Sequence, residues 1–165
     1  MNTPPVNILG SEVLYINSVS TGRTYRIMVS LPYAYEKPRK TLPFFNTIEK
    51  CPVIYLLDTI WHFGLITDMV RTMALYGTTT EAIVVGVGYP KNENPQEAYS
   101  EAAARCAPDF TPRKSEQYEK TYSEVLGRPV VTGDAHNFHK FIAQELITFV
   151  EDNYHADPSK RILAG

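Results

Sequence analysis

The chain has 165 residues, 44% of them hydrophobic and 21% charged, which is enough apolar material for a packed core and carries none of the bias of a disordered segment. Its 16 Lys and Arg stand against 18 Asp and Glu, a formal net charge of -2; this provides no basic field for a phosphate backbone and argues against a nucleic-acid partner. The N-terminal MNTPPVNILGSEVLYINS has no basic n-region or continuous apolar h-region, and no later run approaches the roughly 18 apolar residues of a membrane span. The expectation is a cytoplasmic chain with no membrane partner. Cys51 and Cys106 lie far apart without CxxC spacing, so both read as free thiols in a reducing compartment.

In chain order, two β-rich runs come first, Val13 to Val19 and Thr24 to Leu31, joined by the turn-prone Ser20, Thr21, Gly22 and Arg23. They predict an antiparallel hairpin. A Pro-, Lys- and Arg-rich connection runs from Tyr33 to Cys51. After it, five consecutive apolar residues, Val53 to Leu57, predict a strand covered on both faces, as in the middle of a parallel sheet. HFGLITDMVRTMALYG then spaces Phe63, Ile66, Met69, Val70 and Met73 by threes and fours, with Gly77 where a helix C-cap belongs. A second buried strand, Ala82 to Val87, completes a right-handed strand-helix-strand unit. The fold class is α/β.

From Lys91 to Gly133 no period persists, and a segment of this length inside a compact domain reads as a lid or binding loop. A helix follows, with Phe138, Phe141, Ile142, Leu146, Phe149 and Val150 on one stripe and Asp134 as N-cap. Ala156, Asp157 and Pro158 end it, and RILAG, the last five residues, reads as the start of a third buried strand.

DPSKRILAG, together with YLLD at Tyr55 to Asp58, DFTP at Asp109 to Pro112 and the helix containing FIAQEL, resembles α/β-hydrolases of the putative esterase family, which includes siderophore esterases. The resemblance runs from the hairpin to the last residue. It implies a three-layer α/β-hydrolase-like sandwich: an N-terminal antiparallel hairpin, then parallel strands with crossover helices. It also implies a serine carboxylic-ester hydrolase acting on a small-molecule ester through an acyl-enzyme, with no cofactor and no metal. In such proteins the strand matching RILAG runs into Gly-His-Ser-x-Gly-Gly. Gly165 would be the first glycine of GxSxG, with the serine two residues further on. The triad follows the order Ser, Asp or Glu, His, so none of its members falls within residues 1–165. The expectation is an N-terminal portion of such a hydrolase, truncated at the nucleophile strand and inactive alone.

The resemblance leaves one catalytic group to this chain, an oxyanion-hole amide from the loop after the third strand. By the family's Leu-Leu-Asp-Gly-x pattern the donor is the backbone N–H of Ile60, with a purely structural loop as the other reading; Thr59 stands where the family usually has glycine, so either the loop takes a non-glycine geometry or the hole is displaced. Thr59, Trp61 and His62 are candidates to line the substrate pocket, since ligands of open α/β sheets sit at the carboxyl ends of strands; Trp61 reads equally as a surface-packing aromatic. His136 and His139 have HxxH spacing, but two ligands are too few for a metal site, and a solvated helix end is the plainer reading. Asp58 either orients groups near the site or caps a neighbouring element. Arg105 and Asp109 read as an ion pair holding the long loop, or as contacts for an anionic substrate. Glu36 to Lys40 reads as a solvated loop.

A second class stays open beside the hydrolase: a non-catalytic binding module or an acyltransferase on the same scaffold. With the nucleophile strand cut short, its neighbour is expected to present an apolar, partly unpaired edge, and self-association through that sheet edge follows.

Overall fold

The computed structural model describes residues 6–33, 35, 50–57, 59–90 and 95–165. Expectations placed on Asp58, on Glu36 to Lys40 and on most of the connection before Cys51 lie outside the described residues. The elements are β1 (Ser11–Asn17), β2 (Thr24–Ser30), β3 (Cys51–Leu56), α1 (Thr59–Leu75), β4 (Ile83–Gly88), α2 (Pro95–Phe110), α3 (Glu116–Leu126), α4 (Ala135–Lys140), a π-helical segment (Phe141–Leu146), α5 (Ile147–Asn153) and β5 (Ala156–Ala164). The strands form one sheet in the order β1-β2-β4-β3-β5. The chain divides into two compact units: one of Met1–Leu14, Ile27–Val87 and Tyr154–Gly165, the other of Tyr15–Arg26 and Gly88–Asn153.

β1 and β2 are sheet neighbours joined by six residues, closed by the Ser18 N–H donating to Arg23 O at 2.9 Å. So short a connection permits only antiparallel pairing. β3 and β4 pair in parallel, Val53 opposite Ile83 through Leu56 opposite Gly86, with α1 as the crossover. Every residue of β4 is buried, as an unbroken apolar run between two other strands requires.

The core of the first unit brings Leu56, Phe63 and Val84 together, with Ile8, Met28, Ile66, Val70 and Ala164 packed against them. α1 starts at Thr59, ahead of the predicted helix, so that Trp61 and His62 are helical rather than in a loop. Its end is as expected: Gly77 takes a φ of 71°, its N–H reaches Ala74 O, and the Thr78 N–H reaches Met73 O, a Schellman closure. Met69 and Met73, predicted on the core stripe, lie on the exposed face. Buried Arg71 holds the other side of this unit, donating to Gly10 O at 3.2 Å and Leu31 O at 2.8 Å.

β5 pairs in parallel with β3, from Arg161 opposite Val53 to Ala164 opposite Leu56. Two expectations change here. The strand begins at Ala156 rather than at RILAG, and it is not buried: Ile162 and Leu163 are 55% and 60% exposed. The unpaired edge is accordingly that of β5 itself, while β3 is flanked on both sides. Between Ala156 and Arg161 the strand bulges, because Asp157 accepts from the Ser159 N–H at 3.0 Å and its hydroxyl at 2.7 Å, a local turn that competes with the ladder.

In the second unit the segment 91–133, expected to be irregular, carries α2 and α3. Neither leaves a strong apolar signature. α2 is rich in alanine with Pro108 inside it, and α3 buries no residue; it is set by its ends, with Ser115 accepting from the Tyr118 N–H and Gly127 as C-cap. The predicted helix that follows is present, and Phe138, Phe141, Ile142, Leu146 and Val150 are buried. Four of these, 138, 142, 146 and 150, are spaced by fours. In an α-helix of 3.6 residues per turn each such step overshoots the turn by about 40°. The wider π turn, in which the Ile147 N–H reaches Ile142 O, takes back part of that drift and keeps the four on one side.

Candidate functional site

At the carboxyl end of the sheet β3 and β5 finish level, Leu56 opposite Ala164, while β4, whose Gly86 is also opposite Leu56, runs on to Gly88. The ladder continues one step, with the Leu57 N–H donating to Ala164 O at 2.8 Å. The residue after β5, Gly165, lies against the Leu57 side chain: a Cβ built on it would stand 2.8 Å from Leu57 Cβ. A side chain at 165 could enter only by shifting its neighbour. Glycine, with no Cβ, accommodates this close approach without strain.

Two residues past Leu57 the chain enters α1. Thr59 is its first residue and is buried, with its hydroxyl donating to Val87 O at 3.1 Å. The threonine takes helical rather than left-handed geometry, which removes the need for glycine at this position. Ile60 is second in the helix. Its amide is therefore among the first-turn N–H groups that have no carbonyl partner inside the helix and face the positive end of the helix dipole. Trp61 and His62 follow on the exposed side, Trp61 at 63%. Thr59 thus lies inside the packing, while Trp61 and His62 are open to whatever approaches the start of α1.

The second unit holds a buried polar cluster around Asp109. The Asp109 side chain is wholly buried and ion-pairs with Arg23; it also accepts from the Tyr25 hydroxyl at 3.1 Å and the Tyr89 hydroxyl at 2.8 Å. Arg23 extends to Asp134 at 2.9 Å. Burial raises the Asp109 carboxyl above its ordinary value, and the two tyrosines and Arg23 only partly offset this. Burial likewise pushes Tyr25 up to about 12 and Tyr89 well above its ordinary value. The expected Arg105–Asp109 pair does not form. Arg105 pairs with Glu101 one helical turn away, at 2.6 Å, because both lie on the same face of α2. Asp134 stands before α4, but its side chain makes no cap bond and accepts from Asn137 Nδ2 at 2.7 Å. Chain-order reading missed Arg23, Tyr25 and Tyr89, which reach Asp109 from a turn, a strand and the end of β4; the one local cue was a polar TGRTY beside a buried strand.

A second carboxylate, Glu145, fills the β1–β2 turn, accepting from the Val19 N–H at 3.0 Å, the Ser20 N–H at 2.8 Å and the Ser18 hydroxyl at 3.1 Å. Burial acts to raise it, but these donors prevail and hold it below its ordinary value. His136 and His139 are both exposed on α4, and among the described residues no three His, Cys, Asp or Glu side chains come together as metal ligands. Neither Cys51 nor Cys106 is in a disulfide, and burial raises the Cys51 thiol to about 11. An open groove of about 350 Å³ touches Pro52, Ile54, Thr80 and Lys160. It lies towards the amino ends of β3 and β4, away from the start of α1. No described helix is long and apolar enough to cross a membrane.

Residues 18–165 match the family model described as Putative esterase. The chain is similar to ferri-bacillibactin esterase BesA of Bacillus subtilis (strain 168), 31% identical over 162 residues, which are 96% of this chain and 50% of that protein. Among solved structures it is similar to the BES protein from Bacillus cereus, with a TM-score of 0.70 at 29% identity over 99% of this chain and 53% of that one. The siderophore hydrolase EstB from Aspergillus nidulans, at 22% identity and a TM-score of 0.67 over 98% of this chain and 50% of that one, shares the fold. The chain thus spans about half the length of these relatives. With the sheet order and a family match that runs from residue 18 to Gly165, the chain belongs to the putative esterase family of α/β-hydrolase fold.

Proposed function

We propose that this chain supplies the N-terminal half of a serine carboxylic-ester hydrolase that works through an acyl-enzyme. The observation that carries the reading is the meeting of Gly165 with Leu57 at the carboxyl edge of the sheet, two residues before α1 begins. A serine presented by a turn directly after Gly165 would emerge beside the first amides of that helix. On this reading the Ile60 N–H donates to the oxyanion as the serine attacks the ester carbonyl, and a second donor comes from the residue after the serine. Trp61 and His62, open at the same helix end, border the approach for the acyl or alcohol group. The substrate is a small-molecule ester; the siderophore named for BesA suggests the first compounds to try.

The triad is proposed to lie beyond Gly165, so residues 1–165 alone are expected to hydrolyse p-nitrophenyl acetate no faster than background. The full-length gene product should hydrolyse it and should lose that activity on labelling with a fluorophosphonate, which reacts with an activated serine. A full-length product that neither turns over the ester nor takes the label would sink the esterase reading.

A further inference from the structure

Thr59 occupies a position where the family pattern has glycine, and the structure gives it two separate contacts with one stretch of β4. Its hydroxyl donates to Val87 O at 3.1 Å, and its methyl group lies over Gly86, where a built Cβ would come within 2.6 Å of Thr59 Cγ2. Phe63, one helical turn later on the same face, covers Gly86 as well, 2.8 Å from that built Cβ. The first turn of α1 is thus seated on β4 through two side chains, at a point where β4 has none. A glycine at 59 would leave the start of the helix with neither the hydroxyl tie nor the methyl contact.

We infer that Thr59 is a positioning residue: it fixes the first turn of α1 on β4 and thereby sets the direction of the Ile60 amide. This inference rests on the esterase reading, in which that amide meets the oxyanion. The physical reason for the device is that a donor acts on a transition state only if it already points at the place where charge develops. An offset of about 1 Å at such a donor can cost as much as 100-fold in rate. A side-chain tether supplies, at a helical backbone conformation, the order that a glycine loop obtains from its own turn geometry.

The test is Thr59→Val in the full-length gene product, which keeps the shape and removes the hydroxyl. With p-nitrophenyl butyrate, kcat is expected to fall about 10-fold while KM stays within about 2-fold, and the rate of fluorophosphonate labelling should fall in parallel. Thr59→Ser, which returns the hydroxyl, should restore most of the lost kcat. If the valine variant does not fold, as judged by its thermal melt, Thr59→Ser is compared with Thr59→Ala: alanine favours helix and carries no tether, so kcat should be about 10-fold lower in alanine than in serine. Equal kcat across these variants in an active enzyme overturns the positioning role and leaves the esterase reading standing. A wild-type product inert to both ester and fluorophosphonate overturns both.

Discussion

Arg23 and Asp109 form an ion pair in which the Asp109 side chain is fully buried while the Arg23 side chain is 31% exposed. Loss of the carboxylate is costly, because the hydroxyls of Tyr25 and Tyr89 would be left without their acceptor and Arg23 would keep Asp134 alone as its carboxylate partner. Asp109→Ala is expected to destabilise the fold by about 3 kcal/mol, measured by urea unfolding followed by circular dichroism. Tyr89→Phe, which removes one of the hydrogen bonds, should cost about 1 kcal/mol. A cost below about 0.5 kcal/mol for Asp109→Ala would mean that the cluster contributes little to stability.

Glu145 gives a pH dependence of definite sign. Its carboxyl is held below its ordinary value in the fold, so its contribution to stability is present above the unfolded value near 4.5 and is lost as pH falls through the lower folded value. Asp109 acts in the opposite sense, since its raised carboxyl favours the protonated form. Comparison with Glu145→Gln separates the two, because Asp109 is common to both proteins. The stability gap between wild type and Glu145→Gln should be widest near neutrality and close as the pH falls below 4. A gap that widens on acidification would contradict the assignment.

Ile60→Pro tests the amide directly. Proline is tolerated in the first turn of a helix because no intrahelical hydrogen bond is lost there, and Ile60 is the second residue of α1. In the full-length product kcat should fall roughly 100-fold with little change in KM, as on removal of an oxyanion donor. Steady-state kinetics on a variant with an unaltered thermal melt decide the point; an unchanged kcat excludes Ile60 as the donor.

The outer edge of β5 carries exposed Ile162 and Leu163 with no strand beyond it among the described residues. Residues 1–165 produced alone should therefore self-associate at micromolar concentration, seen as concentration-dependent sedimentation. Ile162→Lys together with Leu163→Lys should shift the chain towards monomer, as charges on an edge strand oppose pairing. Sedimentation as a monomer by the unsubstituted chain would dispose of this expectation.

The parts legible in the sequence are those where one local signal dominates. The run from Ala82 to Val87 marked a central strand, observed over Ile83–Gly88, and Phe63, Ile66 and Val70 marked the core face of α1. The misreadings share a cause: exposure and partner choice depend on what lies across space. Met69 and Met73 fit a helical stripe as well as Val70 does, yet they face outward. Ile162 and Leu163 look like a buried strand, but β5 is at an edge of the sheet. The proposed roles of Thr59 and Ile60 come from the family pattern, while the partner of Asp109 was misjudged because Arg105 is near in sequence and Arg23 is near only in the fold.

The π-helical segment has a consequence for anyone redesigning this chain. Because Phe141–Leu146 winds more widely than the turns around it, the angular frame of α5 is rotated against that of α4. A helical wheel drawn from Ala135 at a constant 100° per residue would misplace the positions after Leu146 and put Val150, which is fully buried, well away from Phe138. The helix behaves as two wheels joined by a phase offset. Substitutions in α5 need to be chosen on their own wheel, counted from Ile147.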